Sequence, residues 1–316
     1  MSATVDRRPG PLARLPGVAA MLIVLVVVFA LASPDFATLP NLSNVLVQSS
    51  VLLLLALPMT FVIMTEGLDI SVGAVLTLGT LSVAATALAT GSLVLAFLAG
   101  LGTGLAFGFF NGWLVAYLDL PPFVATLGSF SIAQGLALAL SGGQSITGMP
   151  PGLLAIYSGT VLHIPVPILI IVIAYAVMHG LLYRTPFGTY IFALGGNREA
   201  LVLAGIPPRL MLAAVYALSG LMAGIGALLL TARLNAGHPT AGIGMEFDAI
   251  AAVAVGGTAF ERGNGWLFGT VLGVFAIGIL RNGMDLLALP SSLEVACIGL
   301  LVIAAFLIEA IKGEQP

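Results

Sequence analysis

Ten apolar runs, most of them near the roughly 20 residues that a helix needs to cross a bilayer, follow one another along the chain, joined by polar turns and two longer intervals. Inside hydrocarbon no water is available to the backbone, so each run must satisfy its own N–H and C=O groups, which a helix does. Composition agrees with that constraint. Of 316 residues 59% are hydrophobic and 7% charged, where soluble domains carry roughly a quarter charged. The expectation is an all-α polytopic membrane protein, built as one transmembrane domain over residues 1–316. Its net charge of −3 offers no concentrated basic surface, so no nucleic-acid partner is expected. The single Cys297 excludes a disulfide framework and a cysteine metal site.

The runs are taken as Gly17 to Ala32, Asn44 to Thr65 with Pro58 inside, Ile70 to Ala89, Leu93 to Tyr117, Phe123 to Leu140, Ile168 to Tyr183, Leu210 to Leu230, Met245 to Gly256, Trp266 to Leu280, and Leu293 to Ile311. Ala30-Leu31-Ala32 also resembles a signal-peptide cleavage site, but the run is long enough to stay as the first span. Ser141 to Pro167 reads as a structured outer loop. The eighth run is too short to cross alone at 1.5 Å per residue, and is expected to be tilted, broken or lengthened by its flanks.

Basic residues at span ends are retained in the cytoplasm. With ten spans and an inside N-terminus, Arg7, Arg8, Arg14, Arg184, Arg198, Arg209, Arg262 and Lys312 fall inside, and only Arg233 and Arg281 fall at outer ends. Both termini are therefore expected in the cytoplasm. The loop 184–209 is then the longest cytoplasmic interval between spans. Asn197 can cap a short helix through Leu203, with Gly205 ending it and Pro207-Pro208 forbidding continuation. A plain connector needs neither cap nor apolar face, so the segment reads as a helix presented to a partner.

Gly100, Gly104, Gly108 and Gly112 recur every fourth residue on the fourth span, and Gly265, Gly269 and Gly273 on the ninth. Such stripes let helices approach closely in lipid; the competing readings are a homodimer face or chance. Both spans end in Asn-Gly, at Asn111-Gly112 and Asn282-Gly283, and acidic turns precede them at Glu66 to Asp69 and at Glu246 to Asp248. The offset is five spans. An odd offset makes the second copy inverted, as in transport proteins built from inverted repeats.

Catalytic patterns are missing: there is no His-Glu-x-x-His pair and no nucleophile elbow. The only lysine, Lys312, is followed by Gly313, so the chain carries no P-loop. No cofactor or metal is expected on it.

Collinear motifs carry a family resemblance: T-E-G-L-D-I-S-V-G from Thr65, P-P-F-V-A-T-L-G from Pro121, F-G-T-Y-I-F-A-L-G-G-N from Phe187, E-F-D-A-I-A-A-V-A-V-G-G-T from Glu246, and R-N-G from Arg281. Together they resemble the ribose-type permease subunits of ATP-binding-cassette sugar importers, from about Asn41 to Ile311. The family pattern usually has Gly where Glu66 stands, and Gly-Gly where Arg262-Gly263 stands. The resemblance implies an importer permease fold in the cell inner membrane, paired with a second permease subunit. It further implies a periplasmic sugar-binding protein that delivers a pentose or hexose, and a cytoplasmic ATPase that holds ATP and Mg. It places the coupling helix of the family on Asn197 to Ile206, where Leu201, Leu203 and Ile206 would enter a groove on the ATPase, Ala200 would border that contact, and Arg198 and Glu199 would form its rim.

The charged and polar residues near the membrane are then candidates for the path or gate: Asp69, Ser71, Asn111, Glu246, Asp248 and Asn282. Asp69 is read first as a helix cap, and second as a substrate or ion ligand. Glu246 and Asp248 either face a cavity or cap the eighth span. Arg233 and Arg281 either contact sugar or the binding protein, or snorkel to the outer interface, which is the default. Two other functions compete: an ion-coupled secondary transporter of a small hydroxylated solute, with Asp69, Glu246 or Asp248 carrying protons, and a membrane scaffold or receptor without flux.

Overall fold

A computed structural model describes residues 11–258 and 263–313, with side chains described over 17–258 and 263–304. Arg7, Arg8 and Arg262, and the side chains of Arg14 and Lys312, lie outside the described residues. The chain is helical throughout: α1 Pro11–Ala32, α2 Leu39–Met64, α3 Val72–Thr90, α4 Leu93–Ala116, α5 Pro122–Ser141, α6 Pro151–Ser158, α7 Val166–Arg184, α8 Pro186–Gly196, α9 Arg198–Leu203, α10 Pro208–Leu234, α11 Met245–Val255, α12 Leu267–Leu286 and α13 Ser291–Gly313. Seven of these, α2, α3, α4, α5, α7, α10 and α12, are long and apolar enough to cross a membrane. The described apolar parts of α1 (Gly17–Ala32) and α13 (Ser291–Ala304) are shorter.

Among the described residues, four two-residue strands lie between the helices. β1 Ile146–Thr147 pairs antiparallel with β4 Ala236–Gly237, and β2 Thr160–Val161 pairs with β3 Ile164–Pro165. The interval 141–167 is therefore an ordered cap that holds α6 and a small hairpin, tied by β1 to the chain after α10. The central interval contains more than the sequence suggested, since α8 fills Pro186–Gly196 ahead of the short helix. Its signal was Pro186, which suits the first turn of a helix because proline has no N–H to satisfy there.

Helix α2 is the hub. Its residues from Ser49 to Met64 are all buried, and it packs on α7, α10, α11 and α12. The tightest helix pair is α4 on α10. A β-carbon at Gly104 would collide with the carbonyl of Gly220, and one at Gly108 would lie 2.6 Å from the carbonyl of Tyr216, while Gly100 and Gly112 sit against Gly224 and Ala213. The glycine stripe is an internal packing face. On α12, Gly269 and Gly273 meet the carbonyls of Gly256 and Ala252 on α11 in the same way. Gly265 departs from the expectation, because α12 begins only at Leu267 and Gly265 lies in the turn before it, against the side chain of Met64.

Gly104→Leu is expected to lower the melting temperature of the purified protein by several degrees or to abolish its folded yield, since no shift of a side chain relieves a backbone clash. Gly102, on the same helix, has open space around it. Gly102→Leu should melt within a degree or two of the parent by fluorescence-detected thermal unfolding, and equal losses in both variants would remove the packing face.

The short eighth helix has a simple geometric account. After β4 the chain 238–244 descends beside α3 in the opposite direction: Gly237 lies against Thr80 and Ala84, the Gly242 N–H donates to Thr77 Oγ1 at 2.9 Å, and Gln134 of α5 donates to the Pro239 carbonyl at 2.9 Å. Helix α11 then starts beside Gly73, at the N-terminus of α3, and ends where Gly256 meets Gly269 near the start of α12. Eleven residues span about 16 Å, and the turns of 238–244 add to the depth that the chain covers beside α3. The chain 65–71 does the same from the opposite end, leaving Met64 and entering α3. The N-termini of α3 and α11 thus meet inside the protein. Glu66, in the first of these segments, has φ 61°, a left-handed conformation that glycine adopts without the Cβ penalty.

Helix contacts repeat in the two halves. Helix α3 packs on α4, α5 and α10, while α11 packs on α12, α13 and α2; α4 lies on α10, and α12 on α2.

Candidate functional site

Asp69 stands at the centre of a buried polar cluster. The turn 65–71 carries it inward, and residues of α3, α4, α5 and α10 close around it. Its Oδ1 accepts from the Ser71 N–H at 3.1 Å and from Ser71 Oγ at 2.6 Å, and its Oδ2 accepts from Ser219 Oγ at 2.7 Å. Asn111 Nδ2 donates to Ser71 Oγ at 2.8 Å, and Ser129 Oγ donates to Asn111 Oδ1. Thr126 Oγ1 reaches the Leu68 carbonyl at 3.2 Å. The helix-cap reading of Asp69 needs correction: Ser71 occupies the N-cap position of α3, and the carboxylate bonds the turn ahead of it and reaches across to α10. Ser71 and Asn111 are expected candidates; the structure puts Ser71 on Asp69 and Asn111 one bond further out, on Ser71. Ser129 and Ser219 are not, because a single hydroxyl in an apolar span carries no pattern.

The second acidic turn divides its two residues. Glu246 accepts from the Gly244 N–H at 3.0 Å and 3.1 Å, so its carboxylate caps the N-terminus of α11, where the helix dipole favours a negative charge. Asp248 instead lines a cavity and accepts from Arg281 at 2.7 Å. Arg281 Nε also lies 2.6 Å from Glu294 Oε1, a close ion pair without hydrogen-bond alignment. Arg281 therefore does not simply snorkel: it ties α11, α12 and α13 together. Glu294 was missed, although an acidic residue in the first turn of an otherwise apolar helix is a signal in its own right.

The cavity has a volume of about 900 Å³ and lies between α2, α10, α11, α12 and α13. Gln48 and Ser49, Arg233, Asp248 and Arg281 give it polar ground; Leu52, Leu230, Phe247, Ile250 and Val302 supply the apolar remainder. Asn282 stands apart from it. Its amide exchanges two hydrogen bonds with Asn41, at 2.8 Å and 2.9 Å, and so fastens α12 to the start of α2. No cluster of metal-ligating side chains occurs among the described residues.

At the opposite end of the helices, the central interval presents a small exposed helix. Asn197 Oδ1 accepts from the Ala200 N–H at 3.0 Å, which is the expected cap, and Gly205 adopts φ 73°. Helix α8 anchors the segment through Ile191, Leu194 and Gly195, with Gly195 against the carbonyl of Met64. Arg198, Glu199 and Ala200 are exposed. Leu201 overturns its expectation. It is 3% exposed and packs into the core, whereas Leu203 is 89% exposed and Val202 60%. Three residues of α9 cannot all face outward on a 3.6-residue period, so Leu201 is the anchor and Val202 and Leu203 form the presented face. Ile206 is half-buried. Nearby, Arg209 pairs with Asp119 at 3.0 Å in the open, joining the loops at this end.

Together these features define a polytopic helical membrane protein with a polar cavity among its spans and an exposed helix at one end. The chain matches the family described as "Branched-chain amino acid transport system / permease component" over residues 41–306, and it belongs to that family. It is similar to the "Ribose import permease protein RbsC" of Bacillus subtilis, at 38% identity with 92% of this chain and 91% of the relative covered. It is also similar to the "D-allose transport system permease protein AlsC" of Escherichia coli, at 36% identity (90% and 88%), and to the RbsC protein of Escherichia coli, at 36% identity (91% and 91%). No solved structure gives a significant match.

Proposed function

We propose that this chain is the permease subunit of an ATP-binding-cassette importer that translocates a sugar. The observation that carries this reading is full-length similarity to ribose and allose import permeases, covering about nine-tenths of both chains. The chain has no P-loop of its own, so ATP and Mg belong to a separate cytoplasmic ATPase. The permease pairs with a second permease subunit and receives sugar from a periplasmic binding protein. It lies in the cell inner membrane with both termini in the cytoplasm, and the ends bearing Arg184, Arg198 and Arg209 face inward.

Ten spans and an inverted repeat belong to this reading. Helix α11, with its non-helical lead-in, counts as one crossing; α1 and α13 are the other two beyond the seven of full length. The matched packing of α2 to α5 and of α10 to α13 supports the repeat, as does the meeting of two helix N-termini approached from opposite ends. The segment 184–209 is the coupling loop within the single permease domain 1–316. It receives the stroke of the ATPase through Asn197, Arg198, Glu199, Ala200, Val202 and Leu203, with Leu201, Gly205 and Ile206 fixing its pose. Asp69, Ser71 and Asn111 form a rigid knot at the inner half of the path. Asp248, Arg233 and Arg281 face the path itself, Glu246 caps α11 there, and Asn282 holds the outer end of α12.

The test is uptake of labelled D-ribose and D-allose into proteoliposomes holding the permease with its ATPase and binding protein. Uptake is expected to need ATP inside the ATPase compartment and to ignore a proton uncoupler. Flux abolished by the uncoupler and indifferent to ATP would establish an ion-coupled carrier instead.

A further inference from the structure

The cavity between α2, α10, α11, α12 and α13 holds one feature that its packing does not explain. Ser49 is 3% exposed, lines the cavity, and its hydroxyl has no hydrogen-bond partner. Hydroxyls elsewhere in these spans bond the carbonyl one turn back, as Thr60 does to Ala56, Thr77 to Gly73 and Thr103 to Ala99. Ser50, its neighbour, bonds Val47 at 2.6 Å. Leaving one buried hydroxyl unpaired costs about 1–3 kcal/mol, which alanine at this position would avoid. The hydroxyl rests over Gly278, where a β-carbon would collide with it, and Gly278 is itself part of the cavity wall. Residue 49 and Gly278 thus stand side by side in the cavity wall, with an unsatisfied hydroxyl between them.

The groups around it are those that a hydroxyl-rich, uncharged ring requires. Arg281 is oriented by Asp248 and Glu294, and a guanidinium has five N–H donors, more than those two carboxylates occupy. Gln48 offers both a donor and an acceptor. Phe247 lines the cavity with 62% of its surface exposed, an aromatic face on which the C–H side of a sugar can rest. The volume of about 900 Å³ exceeds what one monosaccharide fills, so the cavity passes a sugar without enclosing it tightly.

We infer that this cavity is a sugar subsite of the permease itself, in which Ser49, Gln48 and Arg281 bond ring hydroxyls and Phe247 supports the ring face. This rests on the sugar-importer reading and adds to it a permease-borne selectivity filter. A weak site is what transport requires, since a solute held firmly on the path would not leave.

Sugar moved per ATP hydrolysed is the measurement that isolates this role, because it is independent of how much folded complex is present. The assay uses the reconstituted complex with excess binding protein loaded with D-ribose or D-allose. Ser49→Ala is expected to lower that ratio about fivefold, the worth of roughly one hydrogen bond, and to lower it unequally for the two sugars, whose hydroxyls differ in position; Phe247→Ala is expected to lower it for both through loss of the apolar support under the ring. A ratio equal to the parent's for both sugars, whether uptake and hydrolysis stay level or fall together, overturns the subsite and leaves the importer reading standing. A parent complex that moves neither sugar with ATP overturns both.

Discussion

Leu203→Asp is expected to abolish sugar uptake and copurification with the ATPase while the permease itself still inserts and folds. Leu203 is 89% exposed at the tip of α9, so an aspartate there is hydrated in the isolated subunit and costs little. In the assembled complex it would replace a buried leucine, worth about 1.5–3 kcal/mol, and leave an unpaired charge in an apolar contact, which costs several kcal/mol more. The sum corresponds to a loss of association of more than about a thousandfold. Leu201→Asp should behave oppositely. Leu201 is buried against the permease core, so its replacement lowers the folded yield of the permease before any partner is met. Glu199→Lys, on the exposed rim, should weaken association by less than about tenfold. The check is affinity copurification of the ATPase with each variant, read beside the size-exclusion profile of the permease. A Leu203→Asp subunit that binds its ATPase and transports normally would return α9 to the rank of a connector.

The difference between Leu201 and Leu203 also marks where sequence stops being informative. Both leucines are apolar residues on a helix of six, too short for a periodicity to separate its faces. The separation comes from α8, which was invisible because its run Pro186–Gly196 reads as loop beside so many longer apolar segments. The succession of apolar helices was legible because the ends of apolar runs are set by charged and helix-breaking residues such as Asp119, Pro121 and Pro290. The glycine stripe on α4 was legible because its four-residue spacing is a property of the helix alone. Its partner, the Ala213, Gly220 and Gly224 face of α10, was not, since that spacing is less regular and pairing is a tertiary fact.

The candidate site divides along the same line. Asp69, Glu246, Asp248 and Arg281 stood out because charge is rare in the spans. Their partners Ser71 and Asn111 could be named from motifs, but Ser129 and Ser219 are hydroxyls in apolar spans, indistinguishable from Ser82 or Ser131 until the helices are assembled. In sequence Asp69 reads as a cap because Asp before an apolar run ordinarily is one. What changes its role is the irregular turn 65–71, which holds the carboxylate ahead of the helix start and against α10. The segment 238–244 mirrors it, running beside α3 to the start of α11.

Asp69→Ala is expected to have the second large effect, on folding itself. The carboxylate accepts three hydrogen bonds, two from Ser71 and one from Ser219, and its removal strands buried donors on α3 and α10 at once. Each stranded donor costs about 1–3 kcal/mol, so the variant should lose several kcal/mol and yield little folded protein. A thermodynamic cycle separates this role from a proton-carrying one. Ser219→Ala alone removes one donor and its bond, whereas Ser219→Ala in an Asp69→Ala background removes a donor already unpaired. The second step should therefore be neutral or stabilising, with a coupling of about 1–2 kcal/mol by thermal or chemical unfolding. Asp69→Asn keeps one carbonyl oxygen to accept from Ser71 and should recover part of the stability together with ATP-driven uptake. A proton carrier would behave otherwise: the amide cannot exchange a proton, so Asp69→Asn would fold well and transport nothing. That outcome, in a complex of normal stability, would move Asp69 from the scaffold to the transport chemistry.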